Sequence, residues 1–364
     1  MKKLLFTPGP LSTSQSTKEV MLQDVGSRDF EFIEAVKEIR TTLLKIGHVS
    51  KEAGYECVII QGSGTFGIES VISSAISRND TLLVLVNGAY GERIVKMARI
   101  HQINLIVERF EEDELVTVAR TEEVLSNHPE ITHVAVIHSE TTTGLINPIE
   151  AIGGVVKAHQ KTFIIDAMSS FGGIETDVAA TAADYLISSS NKCIEGVPGF
   201  AFALCKRTEL EKCNGQARSL TLDLYDQWRG LELNGQFRFT PPTLSLMAFR
   251  QALHELEEEG GVPAREARYR QNKAVLDKGM ADLGIKSYLK PEIQGPIISS
   301  FLYPTHPNFN FEQFYQQLNE RNLVIYPGKL SKADAFRIGT IGQIFPEDVQ
   351  TLVDAIGSIL QALE

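Results

Sequence analysis

Lys192 lies in the stretch ADYLISSSNKCIEGVPG (183–199), after the apolar Leu186 and Ile187 and among Ser188, Ser189, Ser190 and Asn191. A strand on one side and small polar residues on the other leave its amine packed or hydrogen-bonded rather than free in water. A desolvated lysine gives up its charge readily and becomes a nucleophile or Schiff-base former. Taken alone, the stretch also fits a lysine leaving an ordinary strand, so its upstream neighbours decide.

Asp166 ends KTFIID (161–166), where Thr162 to Ile165 form a short apolar run of the buried parallel type. A carboxylate at such a strand end needs a cationic or donor partner, and it precedes Lys192 by about one strand and crossover. Farther back, Tyr55 to Gln61 runs into Gly62, Ser63, Gly64 and Thr65, then into Phe66 to Ile76 with helical spacing. That is a strand, a glycine turn and a helix N-terminus whose free N–H groups hold a phosphate. Lysine, aspartate and phosphate cradle, each at the end of a different strand, match the three handles of pyridoxal phosphate: imine carbon, ring nitrogen and phosphate.

Further apolar runs predict strands at Leu82–Val86, Asn104–Glu108, His133–His138, Tyr185–Ser188 and Phe200–Cys205. Their alternation with helical or loop segments predicts an α/β fold. Its mainly parallel sheet of about seven strands lies between helices, with ligands at the strands' carboxyl ends. GSRDFE (26–31) enters a helix carrying Phe32, Val36, Ile39 and Leu43, and sets Arg28 and Asp29 at its start, as capping charges or as site groups. TPGPL (7–11) reads as a rigid extended arm that crosses onto another part of the chain. From Leu244 long helical stretches lead to strands at Ile297–Tyr303 and Leu323–Tyr326 and a closing helix at Pro346–Leu363. The expected division is a large cofactor-binding domain, 16–243, and a smaller α+β domain of 1–15 with 244–364.

The 364 residues, 43% of them hydrophobic, suffice for two domains. A formal charge of −11 argues against nucleic acid or an anionic membrane as partner. Cys57, Cys193, Cys205 and Cys213 form no CxxC pair or zinc spacing, so a reduced, cytoplasmic chain without a metal is expected. MKKLLFTPGP is too short in apolar residues for a signal peptide, and no run of about 18 apolar residues appears. Gly62, Gly64 and Gly67 fit the G-x-G-x-x-G of an NAD-dependent dehydrogenase, yet Leu82–Val86 ends in Asn87 and Gly88 instead of the acidic residue that holds a ribose. A triphosphate loop lacks its Gly-Lys-Ser/Thr, and a non-catalytic phosphate module leaves Asp166 and Lys192 without work.

Nine stretches, in order, resemble the class V, fold-type I pyridoxal phosphate aminotransferases: TPGPL, GSRDFEF (26–32), GSGT (62–65), NGAYGER (87–93), HSETTTG (138–144), IDAMSSFGG (165–173), SSNKCIEGVPGF (189–200), RFTPPT (238–243) and FRIGTIG (336–342). The resemblance implies amine and keto acid substrates, ping-pong transamination and a homodimer with two sites at the subunit interface. It implies that Lys192 is the imine lysine and Asp166 the partner of the ring nitrogen, with Ser63, Gly64 and Thr65 on the phosphate. Tyr90 falls where a ring stacks on the cofactor, often a tryptophan in relatives, and Thr141 matches a hydroxyl that touches the ring. Thr240 matches a residue reaching the neighbouring subunit's phosphate, while Phe237 stands where some relatives place a phosphate-binding tyrosine. Arg337 matches the arginine that pairs with the substrate carboxylate, and Arg28 is a second candidate, since a guanidinium fork suits carboxylate and phosphonate alike. Within the family, an alanine or serine:glyoxylate aminotransferase is the competing activity.

Overall fold

Six of the seven apolar runs assemble into one sheet with their side chains buried on both faces, while the seventh, Asn104–Arg109, forms a half-exposed edge. The computed structural model describes residues 3–328, 330 and 332–363. In chain order come β1 (Leu4–Leu5), α1 (Gln15–Glu19), α2 (Phe30–Ile46), β2 (Tyr55–Gln61), α3 (Gly64–Ala75), β3 (Thr81–Val86), α4 (Ala89–Ile100), β4 (Asn104–Arg109), α5 (Val118–Asn127), β5 (His133–Ile137), β6 (Ser139–Glu140), β7 (Leu145–Ile146), α6 (Ile149–Ala158), β8 (Thr162–Asp166), β9 (Tyr185–Ser189) and β10 (Phe200–Lys206). The sheet runs β2-β10-β9-β8-β5-β3-β4. Only β10 is antiparallel to its neighbours. The carboxyl ends of β2, β3, β5, β8 and β9 therefore share one edge.

The chain continues through α7 (Arg207–Lys212), α8 (Leu224–Asn234), α9 (Thr243–Glu259), α10 (Gly261–Asp282), β11 (Ile298–Leu302), α11 (Phe311–Glu320), β12 (Leu323–Val324), β13 (Tyr326–Pro327), β14 (Ala335–Gly339) and α12 (Pro346–Gln361). A three-stranded antiparallel sheet, β11-β14-β13, packs Phe301, Phe336 and Ile338 with Phe314, Leu318 and Leu352 of the helices into a second core. Phe6 of the arm joins that core, and β1 pairs with β12, Leu4 opposite Leu323. The expected strand 323–326 is two: the chain changes partner at the buried Ile325, from β1 to β14. α9, which opens at the expected domain boundary, turns Leu246, Phe249, Leu253 and Leu256 into the large core instead, against α2. Among the described residues no helix is long and apolar enough to cross a membrane.

Two adjacent glycines of α6 give a matched test of packing. A Cβ at Gly153 would lie 1.9 Å from the Thr181 carbonyl oxygen, whereas one at Gly154 meets nothing within 4 Å. Gly153→Ala is expected to destabilise the protein by about 1–3 kcal/mol through overpacking. Gly154→Ala is expected to stabilise it by about 0.5–1 kcal/mol through helix propensity. Urea unfolding of both variants checks the opposite signs.

Candidate active site

Five strand ends enclose a cavity of about 190 Å³, larger than the ~150 Å³ that holds a benzene. Its walls are Ser63, Gly64 and Thr65 after β2, Tyr90 and Arg93 in α4, Ser139 and Thr141 after β5, Asp166 and Met168 after β8, and Asn191 and Lys192 after β9. The N–H groups of Gly64 and Thr65 open α3 and have no intrahelical acceptor, so this corner favours an anion. Arg93 adds a cation there: its Nη1 donates to Thr65 Oγ1 at 3.1 Å, and its guanidinium lies 4.7 Å from the Tyr90 ring centroid. Ser139 Oγ is buried and has no hydrogen-bond partner among the described residues.

The arm crosses onto the lysine itself. Lys192 Nζ donates to the Pro8 carbonyl at 2.7 Å, and a Cβ on Gly9 would sit 2.7 Å from the same nitrogen. Burial pulls the amine below its ordinary pKa, with the Asp166 carboxylate opposing and the Arg337 charge assisting. The loop carrying it is clamped from below. The Lys192 carbonyl accepts from Glu195 N at 2.7 Å, and the Glu195 carboxylate, 2% exposed, accepts from Tyr269 Oη, Arg268 Nη2 and Gln343 Nε2 at 2.6–2.9 Å. Arg265 Nη1 donates to the Cys193 carbonyl at 2.8 Å.

Asp166 Oδ1 accepts from Met168 N at 2.9 Å. Burial pushes its carboxyl up to about 6; the Glu140 charge adds to this, while the Met168 hydrogen bond and the Arg93 and Lys192 charges oppose it. A cation brought beside it would restore the anion. Glu140, fully buried, was not foreseen as a site group although it sits in the HSETTTG stretch; nor was Arg93 in NGAYGER. In both cases the sequence shows a charge but not the direction in which the fold turns it.

Arg337, on β14, stands behind the wall rather than in it. Nη1 donates to the Thr141 carbonyl at 2.8 Å, Nε donates to the Pro327 carbonyl at 3.0 Å, and the side chain also hydrogen-bonds the Tyr90 hydroxyl. The residue is 2% exposed, and no carboxylate among the described residues lies within ion-pair distance. Arg28 and Thr240 do not reach this cavity in their own chain; with Phe237 they line a separate concavity. Gln61 Nε2 ties that segment to the end of β2 by donating to the Phe239 carbonyl at 2.9 Å. The Asp29 carboxylate turns back to accept from Gly26 N, and Phe237 packs on Phe32.

Residues 14–336 match the model of the aminotransferase class-V family. The chain is 54% identical over 354 residues to a 2-aminoethylphosphonate–pyruvate transaminase of Bacillus cytotoxicus, covering 97% of this chain and 96% of that one. A protein of the same name from Vibrio vulnificus is 52% identical over 355 residues, with the same coverage. Among solved structures, pyridoxamine-pyruvate aminotransferase from Mesorhizobium loti superposes with a TM-score of 0.90 at 25% identity, covering 100% of this chain and 93% of that one. Alanine–glyoxylate aminotransferase from Nostoc shares the fold, with a TM-score of 0.91 at 24% identity over 99% and 96% of the two chains.

The raised Asp166 carboxyl has a measurable consequence in the protein without added ligand. Its folded value of about 6 exceeds the 3.8 of an ordinary aspartate, so the fold favours the protonated form and loses stability as pH rises from about 4 through 6. That difference corresponds to roughly 2–3 kcal/mol of stability lost above pH 7. Asp166→Asn, which keeps an acceptor for Met168 N, is therefore expected to melt higher than the unmodified chain at pH 8 and no higher at pH 4. Thermal melts at the two pH values check this.

Proposed function

The chain belongs to the aminotransferase class-V family, and on that premise we propose that it moves the amino group of 2-aminoethylphosphonate to pyruvate, giving phosphonoacetaldehyde and L-alanine in a step of phosphonate breakdown. Its fold is that of the fold-type I pyridoxal phosphate enzymes. The observation that carries the substrate reading is Arg337, a buried cation beside the cavity with no carboxylate among the described residues within ion-pair distance. With its bonds to the Thr141 and Pro327 carbonyls exchanged for the ligand, the guanidinium would take the phosphonate of one substrate or the carboxylate of the other in turn, through two parallel hydrogen bonds.

Pyridoxal phosphate fits the residues present: the anion corner at Ser63 to Thr65, Asp166 across the cavity, the Tyr90 ring, the Thr141 hydroxyl, the unpartnered Ser139 Oγ and the amine of Lys192. When bound, it supplies an electron sink for breaking the C–H bond beside the substrate amine and carries the amino group between half-reactions. Asp166, ionised, holds a proton on the ring nitrogen. Lys192, whose pKa burial has lowered, would take the proton from the amine-bearing carbon at Nζ and deliver it to the cofactor side within the same half-reaction, the keto acid half-reaction running the same transfer backwards. The Pro8–Gly9 arm covers the lysine and keeps water from it.

We further read the enzyme as a cytoplasmic homodimer. Arg28, Phe237 and Thr240 form a concavity with no catalytic group of its own chain, and Leu22, Phe30, Leu220 and Phe239 leave large apolar surface exposed. The four cysteines are free and buried, as suits a reducing compartment. In this reading Thr240 serves the partner's cofactor phosphate. A sedimenting monomer of full activity would remove it.

The deciding assay supplies 2-aminoethylphosphonate, serine or alanine with pyruvate or glyoxylate and compares kcat/KM. The phosphonate with pyruvate is expected to lead; serine or alanine with glyoxylate in front overturns the donor and leaves the chemistry standing. Arg337→Ala is expected to lower kcat/KM by about 2–5 kcal/mol, mostly through KM. Arg337→Lys should recover part of this, because a point charge lacks the fork.

A further inference from the structure

We propose that Glu140 and Thr142 cap α4 from outside the helix and thereby set the position of the Tyr90 ring over the cavity. α4 begins without a side-chain cap of its own, for its N-cap residue is Gly88. Its first three N–H groups would be orphans in most helices. Here Ala89 N donates to Thr142 Oγ1 at 3.0 Å, Tyr90 N donates to Glu140 Oε2 at 3.2 Å, and Gly91 N donates to the same carboxylate. Thr142 binds the other oxygen, its N and Oγ1 donating to Glu140 Oε1 at 3.0 and 2.6 Å. Two residues brought from β6 and its turn thus perform a capping box's work across 50 residues of chain.

The arrangement suits an anion. Burial pushes the Glu140 carboxyl above its ordinary value, and what opposes this is that every group hydrogen-bonded to Glu140 is a donor and the positive end of a helix lies against it. Gly88 is required by the same contact, since a Cβ there would lie 2.3 Å from Glu140 Cδ. The segment between the two capping residues closes a ring of interactions. Thr141 offers its carbonyl to Arg337, Arg337 bonds the Tyr90 hydroxyl, and the Tyr90 backbone returns to Glu140. Tyr90 is therefore held at both ends, its N–H by the cap and its hydroxyl by the arginine, while Arg93 lies over the ring. A cap whose effect ended with helix stability would leave the ring's use unchanged; a positioning pair acts through that ring.

The inference rests on the reading of Tyr90 as the ring that packs on pyridoxal phosphate, and its test separates the two. Amide deuterium exchange over residues 87–94 is followed in the cofactor-free chain, and pyridoxal phosphate affinity is titrated for Glu140→Gln, Tyr90→Ala and the double variant. Faster exchange and about tenfold weaker binding are expected for Glu140→Gln, the scale of a lost cap. The double variant should bind no more weakly than Tyr90→Ala alone. Additive losses, or faster exchange with affinity unchanged, overturn the positioning role. Should Glu140→Gln not fold, Thr142→Val is put through the same cycle with the same two outcomes. An unmodified chain that binds no pyridoxal phosphate overturns the functional reading, while the exchange measurement still reports on the cap.

Discussion

Charge held out of water without a matching ion governs this site. Lys192, Asp166, Glu140 and Arg337 crowd one region, and none of the four has an ion-pair partner among the described residues. Desolvation then drives the lysine and the aspartate toward neutrality, the first by lowering its pKa and the second by raising it. A salt bridge between them would have fixed both charges and removed the base. Hydrogen bonds to carbonyls and N–H groups hold these side chains in place while leaving their charges for a ligand to complete.

The opposite solution appears only three residues along. Glu195 meets Arg265 and Arg268 in a buried, fully bonded cluster, and breaking such a cluster by deleting one member is costly because the remaining charge is stranded. Because Arg268 Nη1 also donates to the Gly342 carbonyl, this cluster fastens the lysine loop to the lobe that carries Arg337. Rigid anchoring by satisfied charges supports the unsatisfied ones beside them.

Much of this was legible because the strands of a covered sheet are apolar throughout: Val58 to Ile60, Leu82 to Val86 and Val134 to Ile137 declare themselves without any periodicity. Lys192 and Asp166 stood out because a charge at the end of such a run has few structural uses. The reversed direction of β10 was not legible, since a buried strand's composition is the same whichever way it runs. Nor was α9's allegiance to the large core, because an amphipathic pattern names a face and not the surface that covers it. Glu140 escaped for a similar reason: apart from the Thr142 hydroxyl its partners are backbone N–H groups, which no side-chain pattern records.

The pairing of Leu4 with Leu323 ties the arm to a strand made near the other end of the chain. During synthesis at roughly 5–20 residues per second, the arm leaves the ribosome on the order of 15–60 s before its partner strand exists. Every strand of the large sheet, and Lys192 in the turn after β9, is made in that interval, so the sheet has time to form with its lysine uncovered. Closing the loop comes last and at the entropic cost of a contact spanning almost the entire polypeptide. Until then Lys192 stands in water and keeps the charge of an ordinary amine, so the arm that covers it last is also what turns it into a base.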